Sequence, residues 1–191
     1  MNELDDAYST LGPIELPELV VIGPKPKEGL GKWCTYAEAT FSQTALDHSL
    51  PNTPNAAQWA NMQLVYEQIY RPLCEHYLYR LPISSFFRSP ALNAVIPGAS
   101  ATSAHCLGQA IDIDCDGLSF LTNLELLTYI RKTFVFDQLI LEHPDPKTGN
   151  PKWVHISFRA NGKNRGQVLR ARFAQVKVKG KLTTRTVYDP I

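Results

Sequence analysis

No stretch of this sequence approaches the ~20 consecutive apolar residues of a membrane-spanning helix. Net charge is nearly absent: 19 Lys and Arg against 18 Asp and Glu leave +1. Charge therefore gives no reason to expect a nucleic acid or an anionic membrane as partner. The four cysteines, Cys34, Cys74, Cys106 and Cys115, include no pair at the two-residue spacing of a zinc knuckle or redox motif. Free, mostly buried thiols are expected. The opening Met1–Asp6 is acidic and polar. It lacks the basic segment and apolar run of a secretory signal, so synthesis in the cytoplasm without a signal peptide is expected. Repeats and low-complexity tracts are missing too. What is present, 44% hydrophobic and 19% charged residues in 191, suits a globular chain with one core.

Residues 1–32 read as an extension. Pro13, Pro17, Pro24 and Pro26, with Gly23, Gly29 and Gly31, discourage regular structure, and only Leu19–Ile22 suggests a strand or packing arm. The folded domain is expected over 33–174. Thr35 and Glu38 have capping-box spacing for a short helix. A loop at Pro51–Pro54 follows. Trp59, Met62, Tyr66, Ile69, Leu73 and Tyr77 then recur at helical steps, with Pro72 expected to kink or end the helix. This aromatic stripe is read as core. Strands are expected at Leu81–Phe87, Ala110–Asp114, Phe136–Glu142 and Trp153–Phe158, and a helix at Phe120–Thr133. Helices first, then strands on short loops, predict an α+β fold with a helical lead-in on a small, mainly antiparallel sheet. Lys177, Lys179, Lys181 and Arg185 mark residues 175–191 as a basic, solvated tail. The chain is expected to be monomeric.

His105, Asp112 and His155 carry the chemistry. His105 precedes a turn at Gly108, Asp112 follows seven residues later on a strand, and His155 lies on another strand. Asp112 and His155 are flanked by core-type residues, so both side chains are expected on the sheet face away from that packing. Two neutral imidazoles and a carboxylate bind a divalent metal and leave a coordination position open. A bound metal lowers the pKa of water towards ~7. The trio Asp112, Asp114 and Asp116 invites a calcium loop, but the glycine and distal glutamate of an EF-hand are missing. Asp137 is assigned a structural hydrogen bond. A non-haem iron oxygenase would use a similar donor set; its His-x-Asp spacing is absent.

These motifs resemble a known family. Ser103-Ala104-His105-Cys106-Leu107-Gly108-Gln109-Ala110-Ile111-Asp112-Ile113 is similar to the first signature of zinc D-alanyl-D-alanine carboxypeptidases and related cell-wall endopeptidases. Trp153-Val154-His155-Ile156-Ser157 resembles their second histidine motif, and Phe87-Arg88-Ser89-Pro90-Ala91-Leu92-Asn93 the segment before the first. The resemblance covers roughly residues 35–160. It implies the small α+β fold shared with vancomycin-resistance dipeptidases and the hedgehog domain. It also implies zinc held by His105, Asp112 and His155, and a peptidoglycan peptide as substrate.

Hydrolysis also needs a general base. Many members of the family place an acid three residues before the last histidine; Lys152 stands there in this chain. Glu142, at the end of a strand that the 144–152 loop folds beside Trp153–Phe158, is the substitute. His143 is a candidate for stabilising the oxyanion. Arg88 is expected to grip a substrate carboxylate with its fork, and Ser103 to bind or orient substrate. If a phage encodes the chain, release through a separate pore or lysis system is implied. The alternative is a non-catalytic zinc-binding module of the same fold, which Lys152 motivates.

Overall fold

Thr35 opens the first helix as a capping box: its hydroxyl accepts from Glu38 N, while the Glu38 carboxylate accepts from Thr35 N, satisfying donors that the first helical turn leaves free. In the computed structural model, residues 29–178 and 180–191 are described. Most of the expected extension, including Leu19–Ile22, and Lys179 of the expected tail lie outside them.

Short helices α1 (Tyr36–Thr40) and α2 (Gln43–Asp47) lead to α3 (Ala56–Val65), capped by Asn55. The long apolar stripe then runs on without a break. Residues Tyr66–Tyr70 form one π turn, in which Arg71 N donates to Tyr66 O, and α4 (Arg71–Tyr77) continues from it. Pro72 was expected to kink or end the helix. It stands in the first turn of α4, directly after the π turn, and the helical run continues past it. Met62, Val65, Tyr66, Ile69, Tyr70 and Leu73 are fully buried along this face, and Tyr70 donates its hydroxyl to Leu81 O at 2.6 Å.

The remaining elements are β1 (Ile83–Ser85), α5 (Pro90–Val95), a 3-10 turn at Ala104–Leu107, β2 (Ala110–Ile113), α6 (Asn123–Thr133), β3 (Gln138–Glu142), β4 (Trp153–Ser157), β5 (Gln167–Val178) and β6 (Lys181–Pro190). Together the six strands form one sheet in the order β1-β2-β4-β3-β5-β6, antiparallel throughout except for the parallel pair β3 and β5. The fold is therefore α+β with a mainly antiparallel sheet. Its Ile111, Ile113, Leu139, Leu141, Val154 and Ile156 side chains join the helices' apolar residues in the main core. The opposite face carries the alternate residues.

Three local expectations are corrected. The strand expected at Leu81–Phe87 is only three residues long, because Phe86 and Phe87 are both buried and no alternation survives. The segment with Pro90, Pro97 and Gly98, which those residues mark as rich in turns, instead opens with a helix, α5: Ser89 caps it and Pro90 suits its first position. The last helix begins at Asn123 rather than Phe120. Thr122 and Glu125 form a capping box, while Phe120 is 52% exposed and meets Tyr79 edge-on.

The C-terminal end differs most. Gln175–Val178 are the end of β5 and Lys181–Pro190 form β6, the two strands pairing from Leu169↔Pro190 to Val178↔Lys181. The expected boundary after residue 174 falls inside β5. The cluster of Lys177, Lys179, Lys181 and Arg185 made this segment read as a solvated tail, yet β-branched residues such as Val176, Thr183, Thr184 and Val187 favour a ribbon. The four cysteines are free, with Cys106 the most accessible. Among the described residues, no helix is long and apolar enough to cross a membrane.

Candidate metal centre

Strand pairing builds the site. Asp112 on β2 stands directly opposite His155 on β4, and Ile140 on β3 stands opposite His155 from the other side. Cross-strand partners point to the same face, so Asp112, His155 and Ile140 form one row across the sheet. Glu142, two residues beyond Ile140, shares that face and lies diagonal to His155. His105 arrives separately, from the 3-10 turn that precedes β2.

Gly108 closes this turn with φ +69°, a left-handed conformation that glycine adopts without strain. A Cβ there would also run into the Gln58 carbonyl of α3. The motif glycine thus lets the turn press against α3, where Gln58 Nε2 and Asn61 Nδ2 donate to Cys106 O and Leu107 O. Gly108→Ala is expected to cost about 1–3 kcal/mol, read as a lower thermal midpoint of the metal-free protein. It should also weaken zinc binding, because His105 rides on the displaced turn.

The three side chains meet closely. His155 Nδ1 lies 2.8 Å from Asp112 Oδ1, and His105 Nε2 lies 3.2 Å from both of these atoms. The edge of a zinc coordination tetrahedron is about 3.3 Å for bonds of about 2.0–2.1 Å. His105 is fully buried, and Asp112 and His155 are 7% and 9% exposed. The tautomer of His105 decides what the cluster binds. Its Nδ1 is 2.6 Å from the Phe86 carbonyl, an acceptor only, so Nδ1 carries a proton. In the neutral ring Nε2 then presents a lone pair to the Asp112 carboxylate and to His155 Nδ1. Lone pairs so arranged call for a cation among them, and the backbone bond to Nδ1 is the support that metal-binding histidines use.

Protonation favours a cation too. Burial drives His105 towards its neutral, ligating form, against the pull of Asp112. Burial alone would raise Asp112, but the neighbouring His105 and His155 outweigh it and hold the carboxyl well below the usual range. For this coupled pair we take Asp112 as ionised and His105 as neutral once a metal supplies the positive charge. Among the described residues, this is the group of His, Cys, Asp and Glu side chains placed to hold a metal ion.

Asp112 and His155 line a cavity of about 870 Å³, and His105 is buried beside them. Glu142 is 7% exposed and lines the same cavity. Burial pushes its carboxyl up to about 7, with Asp112 adding to the rise while His155 and Arg88 oppose it. Arg88 donates from Nη2 to Ser103 Oγ at 3.3 Å, and its Nε is buried without a partner. Both residues line the cavity, so part of the guanidinium fork remains available to a ligand. His143 follows Glu142 with φ +46° and leaves the strand. Its ring stacks on Phe173 with centroids 4.1 Å apart, and its Nε2 lies 3.9 Å from Glu142 Oε2. Lys152 is exposed on the loop.

The other acids have local partners. Asp114 accepts from Asn123 and Asp116 from Asn150. Asp137 accepts from Arg165 and forms an ion pair with Arg159. Two features, one behind His105 and one in the cavity, leave no mark in the motifs. The Phe86 carbonyl that orients His105 is a backbone atom and leaves no residue signature. Tyr188, on β6, lines the cavity from a segment read as a tail.

The family model described as Peptidase M15 matches residues 34–157, from the start of α1 to the end of β4. The match includes His105, Asp112, Glu142 and His155 and stops short of β5 and β6. No curated protein matches the chain.

Proposed function

The chain belongs to the peptidase M15 family, whose members are zinc-dependent, and from that premise we propose that it hydrolyses a peptide bond in bacterial cell-wall peptide. The observation that carries the reading is the convergence of His105 Nε2, Asp112 Oδ1 and His155 Nδ1 beside the buried carboxyl of Glu142. These three residues would hold the zinc. When bound, zinc polarises the scissile carbonyl and acidifies water at the site.

Glu142 is the general base. Its carboxylate takes a proton as the oxygen of water bonds to the carbonyl carbon, and returns that proton to the amine nitrogen as the C–N bond breaks. A carboxyl at about 7 in the metal-free protein suits a group that must both accept and release a proton near neutrality. Arg88 binds an acidic group of the peptide through the donors that Ser103 leaves free, fixing the register of the bond to be cut. Ser103 holds the guanidinium in place. The substrate lies outside the cytoplasmic membrane, and we assign passage there to a separate pore or lysis system. A single chain contains every residue invoked, so a monomer suffices.

Metal analysis with digestion of purified peptidoglycan tests the proposal. About one zinc per chain is expected, with cleavage abolished by a chelator and restored by zinc. New amino termini within the stem peptide identify an endopeptidase, and released D-alanine a carboxypeptidase. A chain that takes up no zinc overturns the proposal. Zinc without cleavage favours the second reading, a non-catalytic metal-binding module, which rests on Lys152 at the family's usual position for the acid.

A further inference from the structure

The cavity has a wall that the matched family region does not supply. Beyond residue 157 the chain turns through the Arg159–Arg165 loop and returns as β5, parallel to β3, with β6 outside it. The register runs Glu142↔Ala171 and then Ala171↔Tyr188. Glu142, Ala171 and Tyr188 therefore form one row on the site face, with Tyr188 two strands from Glu142. Two strand spacings are about 10 Å, and a tyrosine side chain is long enough to cover much of that span. The intervening residue is an alanine, which puts nothing in its way. Ala171 is nonetheless 0% exposed, so larger neighbours cover it.

The hairpin is also pinned beside the site. His143 N donates to Ala171 O at 3.1 Å, and the His143 ring stacks on Phe173, two residues along β5 on the same face. Tyr188 lines the cavity together with Glu142, Asp112, His155 and Arg88, is 46% exposed, and its hydroxyl makes no hydrogen bond to any described residue. Desolvation, reinforced by the negative charges of Glu142 and Asp112, raises its phenol above the ordinary value. It therefore stays a donor through the neutral range. His143, the other donor near Glu142, stacks its ring on Phe173 and holds its Nε2 3.9 Å from Glu142 Oε2.

We infer that Tyr188 is a catalytic residue of this chain, donating its hydroxyl to the carbonyl oxygen of the scissile bond as negative charge develops there. The inference rests on the peptidase reading above. Donors aimed at a developing oxyanion act mainly on the chemical step. Loss of a water-shielded donor of this kind costs about 10²–10³ in rate. Tyr188 is half-exposed, so about 10- to 100-fold is expected.

The test is Tyr188→Phe, which deletes one oxygen and keeps the ring that covers Ala171. Wild type and variant, matched for zinc content, are compared on the same stem peptide. A 10- to 100-fold fall in kcat with KM within about threefold is expected. Binding of a phosphinate analogue, whose tetrahedral P–O⁻ stands where the carbonyl does, should weaken by a similar factor in the variant, while binding of the cleaved product should not change. An unchanged kcat overturns the inference, as does a raised KM alone, which would make Tyr188 a binding wall. A wild type that cleaves no peptide overturns the peptidase reading and the inference with it, whereas an active wild type with an equally active variant overturns only the inference.

Discussion

Glu142→Gln is expected to keep about one zinc per chain and to lose hydrolysis by about 10²–10⁴-fold. Glutamine has nearly the same shape and cannot take a proton, so the loss isolates proton transfer from packing. The substitution also has an expected effect on stability. In the metal-free protein burial lifts the Glu142 carboxyl from 4.5 to about 7. A carboxyl with a raised folded pKa favours the folded state below its unfolded value and loses that contribution as pH climbs through the folded one. Wild-type apoprotein should thus lose stability between about pH 4.5 and 7 through this group. At about 1.4 kcal/mol per unit, the loss is about 3 kcal/mol. Glutamine does not titrate, so the chelated variant should outlast chelated wild type at pH 8 and show no such advantage at pH 4. Paired thermal melts at the two pH values check this. Equal melts at pH 8 would remove the buried-carboxyl assignment, and an active variant would remove Glu142 as base. A non-catalytic module would show the stability gain with no hydrolysis to lose.

Asp112→Asn is expected to lower zinc affinity by more than the 10–100-fold typical of changes behind the ligands. Asp112 is the one anionic donor of the three, and its Oδ1 is within 3.2 Å of both histidine nitrogens. Asparagine preserves volume and strand geometry at the 7% exposed site but removes the charge that offsets a divalent cation. Its amide can also present N–H where a lone pair is required. Competition for zinc against a chromogenic chelator measures the change, and circular dichroism verifies that the sheet is retained. Affinity equal to wild type would exclude Asp112 from the metal centre.

The sequence exposed some of this plainly and hid the rest for identifiable reasons. The Thr35–Glu38 box was legible because its partners lie three residues apart. An equivalent box at Thr122–Glu125 was overlooked, since Phe120 seemed to extend the apolar face of that helix. The three candidate ligands could be named from spacing and resemblance. Which ring nitrogen each histidine offers was not legible, because a backbone carbonyl fixes His105 and strand register directs His155. Glu142 was reachable by reasoning that the 144–152 loop folds β3 beside β4, and these strands do pair with Glu142 opposite Trp153. Tyr188 was not reachable. It lies 33 residues beyond His155 in a ribbon with little buried surface, where hydrophobic alternation has nothing to report.

The parallel seat of β5 beside β3 also sets an order of assembly. All three donor residues and Glu142 are synthesised before β5. Until Gln167–Ala171 arrive, β3 is the outer strand of the sheet, with unpaired N–H and C=O groups along its free side. Its Leu139, Ile140 and Leu141 make that side attractive to any passing strand. The nascent chain therefore has a window in which the strand that carries Glu142 can recruit the wrong neighbour, and the arrival of its own hairpin closes that window.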